Sequence, residues 1–154
     1  MDIEARIAKL EAETAIRKLK ARYLNACDRK DPATIRDCYT KGAIIDFPPL
    51  GEFDVDGLIE IFTNLAVNTN IIDSHQGFNA EITVHGDTAE AVWGYSYSMF
   101  NPDDDSFRLI TGFYHDRYKH QNGTWFISYT RTEPRRIFDG QRTETGVIAQ
   151  YLGA

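Results

Sequence analysis

The stretch HQGFNAEITVHGDTAEAVWGYSYSMF, residues 75–100, decides the fold, because its side chains alternate with a period of two on either side of a tight turn. The turn, His85-Gly86-Asp87, separates a strand predicted near residues 75–84 from another near 88–100. One face of the second strand carries Trp93, Tyr95, Tyr97 and Met99. The stretch therefore predicts an antiparallel hairpin with one aromatic face.

Two more strands are predicted after this hairpin, near residues 106–119 and 124–133. An acidic loop, residues 101–105, leads into the first of them. Gln121-Asn122-Gly123 joins the two, and Asn-Gly between apolar runs is a strong hairpin signal. The second half of the chain is therefore predicted to be a four-stranded antiparallel meander.

The first half of the chain has helical periodicity. Apolar residues at spacings of three and four predict one long helix, from about residue 3 to about 29. Asp31-Pro32 opens a second helix, predicted to end at Gly42, since proline is tolerated at the first helical position. A short strand at 43–47 precedes a third helix, whose buried face is predicted to carry Leu58, Ile61, Phe62 and Leu65. Helices followed by a meander predict an α+β fold.

Composition limits the class of partner. The chain has 154 residues, which is most simply one domain, and a formal net charge of −6. That charge repels phosphate backbones and anionic lipid, so nucleic acid and membrane are not expected as partners. Cys27 and Cys38 are predicted to be buried free thiols, and a cytoplasmic location is expected from them.

Several motifs together resemble the SnoaL-like families of the nuclear-transport-factor-2-like fold. The first helix ends in Tyr-x4-Asp (Tyr23 and Asp28), and an Ile-Ile-Asp-Phe strand follows the Asp-Pro helix. The pattern His-x3-Asn-x-Glu-Ile-x-Val-x-Gly-Asp-x-Ala then begins at His75. The likeness covers roughly residues 3–133. It is greatest to the branch that holds scytalone dehydratase, bile-acid 7α-dehydratase and hexachlorocyclohexane dehydrochlorinase.

The resemblance implies a cone-shaped half-barrel, in which a curved, mainly antiparallel sheet is wrapped by three N-terminal helices. One apolar pocket would open at the wide end of the cone. Residues 1–133 would form this pocket domain, and residues 134–154 a C-terminal tail that covers the pocket or serves as an interface arm. Family habit also implies a homodimer or homotrimer, formed through the outer face of the sheet.

The expected catalytic pair is His75 with Asp28. An imidazole can take and return a proton near neutral pH, and a carboxylate on its far nitrogen fixes the tautomer. The resemblance places a general base at the strand start and its acid partner at the helix end. The alternative for Asp28 is a solvated carboxylate paired with Arg29 and Lys30, because a helix C-terminus disfavours an anion.

The resemblance also implies substrate-binding residues. Tyr23 would donate a hydrogen bond to a substrate oxygen, although it could equally belong to the buried apolar face of the first helix. A second acid is expected near residue 98, where this chain offers only Ser98 or Tyr97, acting through bound water. Arg131 would hold a leaving anion. Two aromatic residues complete the predicted substrate-binding set, Phe47 and Phe62.

The sequence suggests no cofactor and no metal. It lacks paired cysteines with zinc-ligand spacing and a glycine-rich loop suited to a phosphate. The leading hypothesis is a cofactor-independent, dehydratase-like lyase for a small, cyclic, apolar substrate. One alternative is a ketosteroid-isomerase-like isomerase. The other is a non-catalytic ligand-binding or assembly protein of the same fold.

Overall fold

The protein begins with helices and ends with strands. A computed structural model describes residues 2–153. Asp2 caps the first helix, and its carboxylate accepts the Ala5 N–H at 2.8 Å. The helices are α1 (Ile3–Asp28), α2 (Pro32–Asp37) and α3 (Val55–Phe62), and a π-helical turn (Thr63–Val67) follows α3.

Within residues 2–153, seven strands form one sheet. They are β1 (Tyr39–Phe47), β2 (Gly51–Phe53), β3 (Ile72–His85), β4 (Thr88–Asn101), β5 (Ser106–Gln121), β6 (Thr124–Thr143) and β7 (Gly146–Gly153). The order across the sheet is β2-β1-β6-β5-β4-β3, with β7 also paired to β6. Only the β1–β6 pairing is parallel among the described strands.

The sheet is curved and does not close. Its longest strand, β6, pairs with β5 on one edge and with β1 and then β7 on the other. Helix α1 packs against the inner face, and the two sides bury a common core. The α+β cone predicted from the sequence is therefore confirmed. The core includes Ile16, Leu19, Tyr23 and Leu24 from α1 and Trp93, Tyr95, Tyr114, Tyr118 and Ile127 from the sheet.

Some predicted boundaries are wrong. Helix α2 ends at Asp37, and Tyr39 already belongs to β1. Gly42 lies within β1 with φ +79°, beside an irregularity in the β1–β6 pairing, and does not end a helix. Strand pairing explains the early helix end, because the Ile127 N–H donates to the Cys38 carbonyl at 2.9 Å.

The last strand of the predicted meander is longer than its periodicity indicated. Strand β6 runs without a break past residue 133 to Thr143 and turns into β7. The segment described as a tail is therefore a β-hairpin continuous with the sheet. Whether it covers a pocket or forms an interface stays a prediction.

The two cysteines are buried free thiols, as expected. Burial raises the pKa of Cys27 to about 12 and that of Cys38 to about 11. Among residues 2–153, no helix is both long enough and apolar enough to span a membrane.

Candidate active site

Asp28 and His75 are in direct contact. Asp28 is the last residue of α1, and His75 lies near the start of β3. Asp28 Oδ1 lies 2.8 Å from His75 Nδ1 and also accepts the backbone N–H of His75 at 2.8 Å. The two contacts on one oxygen fix the imidazole relative to the end of α1.

Helix α1 ends just after Asp28 in a Schellman motif. The Lys30 N–H donates to the Cys27 carbonyl at 3.1 Å, and the Asp31 N–H donates to the Ala26 carbonyl at 3.0 Å. Lys30 has the left-handed conformation, φ +57°, that this motif requires. The carboxylate of Asp28 therefore stands at a helix C-terminus, where the two N–H contacts from His75 compensate the unfavourable dipole.

The contact with Asp28 determines which nitrogen of His75 is free. An ionised carboxylate only accepts hydrogen bonds, so Nδ1 must carry the proton that it shares with Asp28. In the neutral ring, Nε2 then keeps its lone pair and can accept a proton. Tyr97 lies opposite His75 in the β3–β4 register, with the two ring centroids 4.8 Å apart.

Asp73 and Lys30 complete the surroundings of His75. Asp73 lies two residues before His75 on the same face of β3, and its side chain is only 4% exposed. One ligand-type atom from each of Asp28, Asp73 and His75 lies within 4.8 Å of the others. The Lys30 ammonium pairs with Asp73 and lies 6.0 Å from the Phe62 ring centroid.

Asp73 was not among the predicted site residues, and Lys30 was named only as a possible partner of Asp28. An available signal for Asp73 is its spacing of two from His75, which puts both on one strand face. Two carboxylates and an imidazole are groups that a metal ion also accepts. Here each already has a protein partner: Asp28 pairs with His75, and Asp73 pairs with Lys30. The contact with Asp28 leaves His75 able to accept a proton at Nε2.

Two of the predicted substrate-binding residues lie elsewhere. Ser98 is on the face of β4 opposite to Tyr97 and His75, because neighbouring strand residues alternate. Arg131 has a 54% exposed side chain, and its Nε lies 3.3 Å from Asp46 Oδ2. Strand register accounts for both positions. Ser98 pairs with Ser74 instead of His75, and Arg131 pairs with His115 on the outer face.

The predicted aromatic residues lie at the inner side of the sheet or in the core. Burial raises the pKa of Tyr97 to about 12, so its phenol stays protonated. Tyr23 is 5% exposed and packs edge-on against Tyr39, with ring centroids 5.5 Å apart. Phe47 and Phe62 are partly buried and pack against the core. Of these residues, Tyr97 contacts His75 and Phe62 lies near Lys30.

A second polar cluster, also missed from the sequence, lies in the core. The Lys20 ammonium is 2.8 Å from Asp116 Oδ2, and both side chains are essentially inaccessible. Asp116 also accepts the Tyr118 hydroxyl at 2.7 Å and the Thr130 hydroxyl at 2.5 Å. Burial lowers the pKa of Lys20, and Asp116 opposes that shift. The sequence does contain a sign of this burial. Lys20 follows Ile16 by four residues and precedes Tyr23 by three, so it lies on the buried face of α1.

The apolar pocket implied by the resemblance stays a prediction. A depression of about 370 Å³ lies along the outside of α1 and includes Lys18 and Arg29 in its lining. Another of about 820 Å³ lies beside α2 and β1 and includes Arg36 and Tyr39. Neither of the two is lined by Asp28 or His75.

Comparisons with known proteins agree with the fold. A family model described as a SnoaL-like domain matches residues 8–131. A solved hexachlorocyclohexane dehydrochlorinase of type 2 is 17% identical, with a TM-score of 0.76 over 83% of this chain and 88% of that one. A candidate scytalone dehydratase from Novosphingobium aromaticivorans is 15% identical, with a TM-score of 0.76 over 83% of this chain and 87% of that one.

A third solved structure carries a different name. A candidate aromatic-ring hydroxylase from Novosphingobium aromaticivorans is 22% identical, with a TM-score of 0.72 over 92% of this chain and 94% of that one. No curated protein matches the chain. Structural likeness at these identities shows the shared fold and leaves the reaction to be argued from the site.

Proposed function

The chain belongs to the SnoaL-like domain family, and on that premise we propose that it is a cofactor-independent, dehydratase-like lyase for a small, cyclic, apolar substrate. The contact between Asp28 Oδ1 and His75 Nδ1 at 2.8 Å carries the proposal. The names of two structural neighbours, a dehydrochlorinase and a dehydratase, both denote eliminations, and this supports a lyase reaction.

The proposed step is a base-assisted elimination. His75 Nε2 takes a proton from a substrate carbon, and the electron pair of that C–H bond forms the new double bond. The leaving group departs from the adjacent carbon with its own bonding pair. The Asp28 carboxylate stabilises the imidazolium that forms. General-base assistance of this kind contributes on the order of 10²–10⁴ in rate.

Aromatic residues would bind the substrate. Burial keeps the phenols of Tyr97 and Tyr23 protonated, so either one can donate a hydrogen bond to a substrate oxygen. Phe47 and Phe62 would form an apolar wall of the substrate site. Ser98 and Arg131 are left out of this proposal, because neither side chain shares a face with His75.

The experiment compares single variants in a screen of cyclic hydroxy-ketones and cyclic halides for elimination. His75→Gln should lower kcat/KM by at least about 10²-fold, and Asp28→Asn by about 10²–10⁴-fold, because the tautomer is no longer fixed. His115→Gln is the matched control, since His115 also pairs with a carboxylate (Glu133, 2.7 Å) but on the outer face. Full activity in His75→Gln would refute the proposal.

Two alternatives give different results in the same screen. An isomerase would return the proton to another carbon and release no leaving group, so its product would have the mass of its substrate. A non-catalytic binding protein would retain ligands without turnover, and His75→Gln would leave the affinity unchanged.

The assembly and location are part of the proposal. Large apolar side chains remain exposed on the outer face of the sheet, among them Leu109, Phe113, Phe138 and Tyr151. Their burial between copies would form a homodimer or homotrimer. Light scattering tests this, and a monomer mass would contradict it. A cytoplasmic location is proposed because free thiols persist in reducing compartments, and cell fractionation checks it.

A further inference from the structure

Lys30 adopts a backbone conformation that disfavours its residue type. It has φ +57° at the residue after the C-cap of α1, a position that glycine or asparagine usually occupies. A residue with a Cβ atom is disfavoured there. Residues with such a backbone conformation cluster at active sites and ligand-binding sites. The contacts of the Lys30 side chain are therefore informative.

The Lys30 side chain reaches the carboxylate beside His75. Its ammonium pairs with Asp73, whose side chain is 4% exposed, while that of Lys30 is 25% exposed. Asp73 belongs to the group of atoms within 4.8 Å that also includes Asp28 and His75. His75 therefore has two carboxylates close by, and only one of them is neutralised by a lysine.

The number of uncompensated carboxylates matters for a base. Each nearby anion favours the imidazolium form of histidine, and an imidazolium cannot accept a proton. We propose that Lys30 is a positioning residue that pairs with Asp73, so that His75 faces one free carboxylate instead of two and remains neutral near pH 7. The part of this inference that concerns catalysis rests on the proposed function, whereas the part that concerns His75 protonation does not.

The other charged groups near the site do not replace Lys30. Tyr97 on β4 faces His75 as a phenol whose raised pKa keeps it neutral. The positive charge of Arg108 on β5 opposes the rise in the pKa of Tyr97. The Arg108 guanidinium is itself paired with Asp139 on β6, to which it donates two hydrogen bonds of 2.6 Å. Asp28 on α1 carries the negative charge that contacts His75 directly.

An NMR pH titration of the His75 ring tests the inference without a substrate. In Lys30→Met, the pH of half-protonation should rise by roughly one unit, because Asp73 becomes an uncompensated charge. In the Lys30→Met/Asp73→Asn double variant it should return close to the wild-type value. Asp73→Asn alone should lower it, since Lys30 then acts unopposed.

Two control variants separate this role from a general loss of positive charge. Arg29→Met removes the positive charge of the neighbouring residue, whose side chain is exposed. Lys30→Arg retains a cation at residue 30. Both should titrate like the wild type. A purely structural pair, which only ties α1 to β3, predicts no change in the titration of Lys30→Met. Either that result or equal shifts in the single and double variants would overturn the inference.

Kinetics distinguish a failure of this inference from a failure of the proposed function. If the chain is a lyase, the acidic limb of the kcat/KM profile of Lys30→Met should move to higher pH, while the rate at high pH is retained. A structural lesion would lower the rate at every pH. If His75→Gln keeps full activity, the proposed function fails, and the titration result is decided separately.

Discussion

At the scale of single residues, Lys20 shows how a charge is accommodated inside the core. Its side chain is 1% exposed, and its ammonium lies 3.6 Å from the Tyr114 ring centroid as well as beside Asp116. A buried charge with one partner is strongly destabilising when that partner is removed.

Replacing Lys20 should therefore lower stability by more than its size suggests. Lys20→Met leaves Asp116 buried without a cation, and we expect the free energy of unfolding to fall by about 3–5 kcal/mol. The Lys20→Met/Asp116→Asn double variant should be more stable than Lys20→Met, because no charge remains unpaired. Urea unfolding measures both effects, with exposed Lys18→Met as the control. A loss for Lys20→Met as small as that of the control would refute this account.

Sequence reasoning found part of the candidate site for a definite physical reason. Asp28 and His75 stand at a helix end and a strand start, positions that periodicity and the family resemblance both indicate. Lys30 could not be assigned, because its partner Asp73 is 43 residues away and the contact depends on a left-handed backbone turn. The position of Ser98 relative to His75 could not be predicted, because the β3–β4 register decides which residues share a face with His75.

At the scale of elements, Gly112 allows the central strands to approach closely. A Cβ atom at this position would lie 2.1 Å from the Glu133 carbonyl oxygen on the neighbouring strand, β6. The β5–β6 register shifts between Thr111 and Gly112. Gly94 is also crowded, at 2.6 Å, but by the ring of Phe78, which is 43% exposed. The two glycines differ in whether the obstacle can move.

This difference predicts unequal costs for the same substitution. Gly112→Ala must displace backbone, and we expect a loss of about 3 kcal/mol in the free energy of unfolding. Gly94→Ala should cost about 1 kcal/mol or less, because Phe78 can rotate into solvent. Urea unfolding of the two variants side by side measures the difference. Equal losses would show that the obstacle at Gly112 also yields.

Elements with strong local sequence signals were predicted correctly. Element boundaries that depend on pairing between strands were not. Helix α1 and the Asn-Gly hairpin follow from periodicity and turn residues. The early end of α2 depends on Cys38 pairing with Ile127, which no local pattern reports. The extension of β6 to Thr143 likewise depends on its partners β5 and β7.

At the scale of the whole molecule, the core holds many ionisable groups in neutral form. Burial raises the pKa of the phenols of Tyr23, Tyr39, Tyr114 and Tyr118 well above the ordinary value of 10.0. It raises the pKa of Tyr95 and Tyr97 to about 12, and the two thiols are raised as well. These groups ionise more readily in the unfolded chain than in the folded one.

The protein should therefore lose stability in alkaline solution. A group with a raised native pKa stabilises the fold fully below its unfolded pKa, and this contribution is lost as pH rises toward the native value. The loss should begin near pH 9, where unfolded thiols ionise, and steepen near pH 10. The lowered pKa of Lys20 makes the free energy of unfolding rise with pH. Lys20 is a single group, however, whereas several phenols and thiols have the opposite effect.

Urea unfolding at several pH values between 8 and 11 measures this effect. The slope should be smaller in Tyr95→Phe, which removes a phenol whose pKa is raised by burial alone. A free energy of unfolding that stays constant over this range would contradict the prediction.

The central claim is that Asp28 leaves Nε2 of His75 free to act as a base. Long-range ¹H–¹⁵N NMR of the neutral imidazole tests it most directly, because the nitrogen shifts report which ring atom carries the proton. The 2.8 Å contact with Asp28 predicts a proton on Nδ1 and an unprotonated Nε2. A proton found on Nε2 would mean that His75 cannot accept one there, and the lyase mechanism would be contradicted.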